Sequence, residues 1–73
     1  MHFSLHNTTR TKHPSLPYEV IARDILGAEY TLSLVFVGDA KSRALNKNYR
    51  NKTYTPNVLS FPLSDSMGEI FIN

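Results

Sequence analysis

The chain has 73 residues, with 8 Lys+Arg against 6 Asp+Glu and a formal net charge of +2. One domain is the ceiling at this length, and so short a chain buries only about 60% of the surface its unfolded form exposes, so it needs an efficient core, a partner or a staple. The absence of cysteine excludes disulfides and thiolate metal sites and suits a reducing cytoplasm. No apolar run approaches the ~20 residues of a membrane span, and the N-terminus, MHFSLHNTTRTKHP, has no signal-peptide core. The Asn7-Thr8-Thr9 and Asn51-Lys52-Thr53 triplets are therefore read as chance matches to a glycosylation signal. The mild positive charge permits an RNA partner without singling one out.

Phe3 and Leu5 alternate with Ser4 and His6, which predicts a short first strand. Thr8 to Pro14 is a polar connection. Pro14 and Pro17 are placed for the start of a helix, with Ser15 as its cap. Leu16, Val20, Ile21 and Ile25 recur at helical spacing against polar Glu19, Arg23 and Asp24, and Gly27 is a natural stop. Glu29 to Val37 is the clearest strand. Tyr30, Leu32, Leu34 and Phe36 face one way, and Thr31, Ser33, Val35 and Val37 the other. Gly38-Asp39 breaks it, with Asp39 as N-cap of a second helix over Ala40 to Tyr49, whose Leu45 and Tyr49 face the core. Asn51 to Pro56 is a polar loop. Val58 to Phe61 is a short strand closed by Pro62, Ser64 to Gly68 a turn, and Glu69 to Ile72 a last strand. The order β-α-β-α-β-β predicts an α+β fold, a small mixed sheet with two helices.

Arg43, Lys47 and Arg50 fall at i, i+4, i+7, with Asn46 among them, on a helix face opposite Leu45 and Tyr49. A row of cations on a rigid element can contact phosphates, and it equally describes a solvated outer face. Lys52 and Tyr54 follow in the loop, and a ring beside cations is compatible with stacking on an unpaired base. His2 and His6 are four apart, which in a strand spans more than about 10 Å, too far for one ion. Together with His13 they are read as ordinary surface or edge residues, so no metal ligand is assigned. No His-Glu-x-x-His pattern, phosphate loop or serine with a nearby base occurs. Residue chemistry alone gives a small α+β domain without a catalytic constellation.

Three linked segments carry a resemblance. Leu32-Ser33-Leu34-Val35-Phe36-Val37 is followed by an acidic turn, then Leu45-Asn46 and Tyr49-Arg50. Val58-Leu59-Ser60-Phe61-Pro62 comes next, then Gly68-Glu69-Ile70-Phe71-Ile72. Together they are similar to the YbeY family in its strand–helix segment, its "DVLSFP" strand and its "GDIVI" strand. The resemblance implies the N-terminal half of a zincin-like fold, with residues 1–73 an incomplete single domain. It implies a metal-dependent, single-strand-specific endoribonuclease of ribosomal RNA maturation, acting at the 3′ end of the small-subunit RNA and in ribosome quality control. Ribosomal RNA and small-subunit ribosomal proteins are the implied partners. The metal the resemblance implies is zinc, held in the family by three histidines of a downstream "HGxLHLxGxDH" motif, where it would make a nucleophile of bound water. No residue of this chain matches those histidines.

Onto this sequence the resemblance carries Arg50 as the functionally important arginine, able to clamp a phosphate and stabilise charge developing in cleavage. Arg43, Lys47 and Lys52 join it as RNA-binding residues. Ser60 matches the signature serine and is read as a structural hydroxyl. Asn57 stands where the family usually has Asp, which keeps the hydrogen-bonding shape and loses the charge. Ending straight after an apolar strand, the chain reads as a fragment inactive alone. The alternatives are a non-catalytic module that holds RNA or a ribosomal protein, and an inert fragment.

Overall fold

The computed structural model describes all residues, Met1–Asn73. The elements follow in the order β1 (His2–Asn7), α1 (Tyr18–Leu26), β2 (Thr31–Phe36), α2 (Asp39–Arg50), β3 (Val58–Ser64) and β4 (Met67–Ile72). They form one mixed sheet in the order β1-β2-β4-β3. β1 and β4 run parallel to β2, and β3 runs antiparallel to β4. Neighbouring parallel strands cannot be joined by a hairpin, so α1 supplies the crossover from β1 to β2. Between β3 and β4 the antiparallel step needs only the Asp65-Ser66 turn, where the Ser66 N–H donates to Ser64 Oγ at 3.2 Å.

The alternation in β2 decides what lies on each face. Leu32, Leu34 and Phe36 are buried, as the period-2 pattern predicts. In register with them on one face are Phe3 and Leu5 of β1 and Gly68, Ile70 and Ile72 of β4. The aromatic rings of His13 and Tyr18 pack on Phe36, with centroids at 4.7 and 5.9 Å, so α1 and its approach cover this face. Val35, Phe71, Leu59 and Phe61 belong to the opposite face by register. There Tyr49 of α2 meets Phe61 edge-on at 5.5 Å, and Phe61 meets Phe71 at 5.7 Å. The two helices thus sit on opposite faces of one sheet.

Several local expectations change. α1 begins at Tyr18 with Pro17 at its N-cap and no side-chain cap, so Ser15 plays no capping part. It ends at Gly27, whose φ of 94° favours glycine and whose N–H donates to the Arg23 carbonyl. Leu16, Val20, Ile21 and Ile25 are all exposed, and Ala22 is the buried residue of α1. The larger apolar side chains of α1 thus lie outside its contact with the sheet. Gly38, not Asp39, is the N-cap of α2. Asp39 is the first helical residue, and its carboxylate accepts from Asn73 Nδ2 at 2.8 Å. β3 continues through Pro62 with a register shift before Ser64, which an edge strand tolerates because no ladder donor is needed on its outer side. Met67 and Gly68 belong to β4 rather than to the turn.

Gly68 has a steric role. A Cβ placed there would collide with the Tyr30 hydroxyl, with the ring carbon beneath it at 3.3 Å. The Tyr30 ring takes the space that glycine leaves. Gly68→Ala is expected to cost about 1–3 kcal/mol by overpacking. Chemical denaturation should show most of that cost relieved when Tyr30→Ala is added, and strict additivity of the two changes would refute the contact.

Candidate nucleic-acid interface

α2 owes its position to polar side chains. Ser42 and Asn46 are its buried residues, 2% and 0% exposed. They lie one turn apart on the face that also carries Leu45 and Tyr49. Leu45 is half-buried, and Tyr49 is 71% exposed despite its contact with Phe61. The core-facing pair is therefore polar, contrary to the expectation for Leu45 and Tyr49, and Asn46 is not part of the exposed cationic face.

The reason lies in the loop of residues 51–57. This segment has no ladder to satisfy its carbonyls, so it needs donors from elsewhere. Ser42 Oγ donates to the Pro56 carbonyl at 2.8 Å, and Asn46 Nδ2 to the Tyr54 carbonyl at 3.0 Å. Arg43 Nε donates to Thr55 Oγ1 at 3.0 Å. The Lys52 N–H returns to the Asn46 carbonyl at 3.3 Å. The helix is turned into the loop by Asn51, a left-handed residue at φ 56°, a conformation asparagine adopts more readily than most. The loop thus runs back along α2, antiparallel to it. The same four bonds hold Lys52 and Tyr54 beside the helix's last turns.

Arg43, Lys47, Arg50 and Lys52 are all exposed. Arg43 and Arg50 are about 10 Å apart along the axis, with Lys47 between them. The chain's ion pair, Arg23 with Glu19 at 3.4 Å, lies on α1, so these four cations have no carboxylate partner. Lys47 and Arg50 complement the negative end of the helix. Arg43 is partly committed to Thr55, which leaves Lys47, Arg50 and Lys52 as the free charges. Tyr54, 53% exposed, and Tyr49 present rings beside them. The arrangement can hold a phosphodiester chain by point charges and a guanidinium fork, with rings for unpaired bases.

Asn57 precedes β3 and is exposed. Its backbone carbonyl accepts from the Asn73 N–H at 2.8 Å, which ties the start of β3 to the end of β4. Ser60 is exposed on β3 opposite Ile70, on the face away from α2. The structure therefore gathers Arg43, Lys47, Arg50 and Lys52 on α2 and its loop and places Ser60 apart from them. His2 and His6 project from β1, while His13 stacks on Phe36. No three of the chain's His, Asp or Glu side chains come together as a metal ligand set. The residues present do not fit a resident metal. Sequence pattern alone passes over Ser42 and places Asn46 on the cationic face, whereas both are buried. The spacing 42, 45, 46, 49 marks one helix face, and two polar members next to a polar loop were the available signal.

Comparison with known proteins bears on the same elements. The family model described as "Endoribonuclease YbeY" matches residues 5–73. A protein of Chelativorans sp. named "Endoribonuclease YbeY" is 54% identical over 37 residues, covering 51% of this chain and 23% of that protein. Its namesake in Anaeromyxobacter sp. is 46% identical over 41 residues, covering 56% and 21%. The one in Thermodesulfovibrio yellowstonii is 41% identical over 49 residues, covering 58% and 31%. The matched stretch thus spans less than a third of each of these relatives' length. With the family model matched along nearly the whole sequence, from β1 through the last residue, the chain belongs to the YbeY endoribonuclease family.

Proposed function

We propose that this chain provides the RNA-holding side of a single-strand-specific endoribonuclease acting on ribosomal RNA precursors. The observation that carries the reading is the group of unpaired cations, Lys47, Arg50 and Lys52, fixed beside Tyr54 by the Ser42, Arg43 and Asn46 hydrogen bonds. Family membership supplies the class of reaction. Arg50 grips a phosphate with two parallel N–H···O bonds and offsets charge that builds on it during cleavage. Lys47 and Lys52 attract the backbone, and Tyr54 stacks on a base that only an unpaired strand can present. Metal dependence, with zinc as the ion, a target at the 3′ end of small-subunit RNA, a part in ribosome quality control, contact with small-subunit ribosomal proteins and residence in the cytoplasm extend this reading by family membership. No helix is long and apolar enough to cross a membrane. Since these residues do not assemble a metal site, the 73-residue chain on this reading binds RNA without cutting it.

Anisotropy titration with a fluorescent single-stranded RNA tests the proposal at several salt concentrations. Binding should weaken with salt, and Arg50→Ala should lower the log–log salt slope by about 0.7, the share of one phosphate contact on a single strand. Salt-independent binding, or an Arg50→Ala slope equal to the parent's, would overturn it.

A further inference from the structure

We propose that two copies of this chain associate through β1, edge to edge and antiparallel, about a two-fold axis at Ser4. The sheet has two free edges, and only one is guarded. β3 carries Pro62 and a register shift, both of which obstruct strand addition. β1 keeps unbroken register with β2 over its six residues, HFSLHN, and contains no proline and no Lys, Arg, Asp or Glu.

The hydrogen-bonding groups on the open side of β1 follow from those already used. His2 N–H donates to the Tyr30 carbonyl at 3.2 Å, and Thr8 N–H to the Phe36 carbonyl at 3.0 Å. Even-numbered residues therefore turn their backbone toward β2, and Phe3, Leu5 and Asn7 turn theirs outward. The segment His2-Phe3-Ser4-Leu5-His6 reads nearly the same in both directions. Antiparallel pairing about Ser4 sets Phe3 of one copy against Leu5 of the other, twice, and each pair exchanges two N–H···O bonds. His2 then stands opposite His6, and Ser4 opposite Ser4, at the non-hydrogen-bonded positions where side chains approach most closely. Apolar side chains meet on the α1 face and polar ones on the other. A slip of one residue would destroy this match.

α1 adds a second, independent observation. It crosses over between β1 and β2 on the face where Tyr18 packs on Phe36, the face that Phe3 and Leu5 share. A two-fold perpendicular to the sheet at Ser4 puts the two copies of α1 on the same side of the joined sheet. Val20, Ile21 and Ile25, 52%, 45% and 76% exposed, leave apolar surface on that side for a second copy to cover.

Sedimentation of this chain tests the pairing. Its mass should rise from one chain to two between about 5 and 500 μM. Ser4 is exposed, so Ser4→Glu and Ser4→Lys should leave the circular dichroism unchanged. Each alone should raise the association midpoint about five- to tenfold, because like charges then face each other, and an equimolar mixture of the two should restore it. The chain has no cysteine, so Ser4→Cys introduces its one thiol, at a pairing distance suited to a disulfide. Mild oxidation should cross-link Ser4→Cys and spare Asp65→Cys at the hairpin tip. A parent that stays one chain in mass at the highest concentration overturns the proposal. So do Ser4 charge variants that associate like the parent, and equal cross-linking of the two cysteine variants.

Discussion

Leu59→Ala is expected to destabilise the fold by about 2–5 kcal/mol, the range for removing a leucine from a packed interior. A domain of this length holds roughly 5 kcal/mol in total, so the variant should be largely unfolded at room temperature. Leu59 is 1% exposed, less than Leu32 or Leu34 on the central strand. That an edge strand carries so buried a side chain follows from the faces. Leu59 lies opposite Phe71 on the side covered by α2 and its returning loop, where Pro56 is also buried. Val58, next to it, points to the other face and is 55% exposed. Val58→Ala should therefore cost less than about 0.5 kcal/mol. Urea denaturation of the two variants reads the contrast directly. Equal costs would mean that the α2 side of β3 is not core.

That contrast also shows what the sequence could reveal. The order of elements was legible because each signal was local: alternation in Thr31–Phe36, glycine after α1, and a polar loop before Val58. The alternation also put Leu32, Leu34 and Phe36, the buried residues of β2, on one face. Which face α2 would cover was not legible, because a strand's period gives two faces without saying what lands on either. The same limit applies to α1. Its apolar spacing predicted a helix correctly but pointed to Val20, Ile21 and Ile25 as the packed side, whereas the contact is made through Ala22. Helical periodicity finds an apolar face; whether the sheet meets that face is a tertiary property. At the site, the cations of α2 were visible as a spacing. Their fixing by the loop was not, since it depends on bonds from Ser42 and Asn46 to carbonyls 14 and 8 residues away.

Asn46→Asp should be the most damaging single-atom-scale change at the site, costing about 3 kcal/mol or more at neutral pH. Asn46 is 0% exposed, its Nδ2 holds the Tyr54 carbonyl, and its Oδ1 has no partner. Aspartate keeps the shape but replaces the donor with a second acceptor facing a carbonyl. Burial pushes the folded-state pKa of the new carboxyl above its unfolded value of about 3.9. The sign follows. Below the unfolded pKa the group is protonated in both states and the charge penalty vanishes. As pH rises from the unfolded pKa toward the raised folded one, the unfolded state ionises while the folded state stays protonated, and the penalty reaches its full size once the folded pKa is passed. Asn46→Ala gives the reference, losing about 1–3 kcal/mol through the missing bond to Tyr54, with no such pH dependence. Both variants should also loosen the loop that carries Lys52 and Tyr54, so hydrogen exchange in residues 51–57 should quicken before the sheet's does. A pH-independent cost for Asn46→Asp would show that position 46 is open to water, and the loop would then owe its place beside α2 to something other than this side chain.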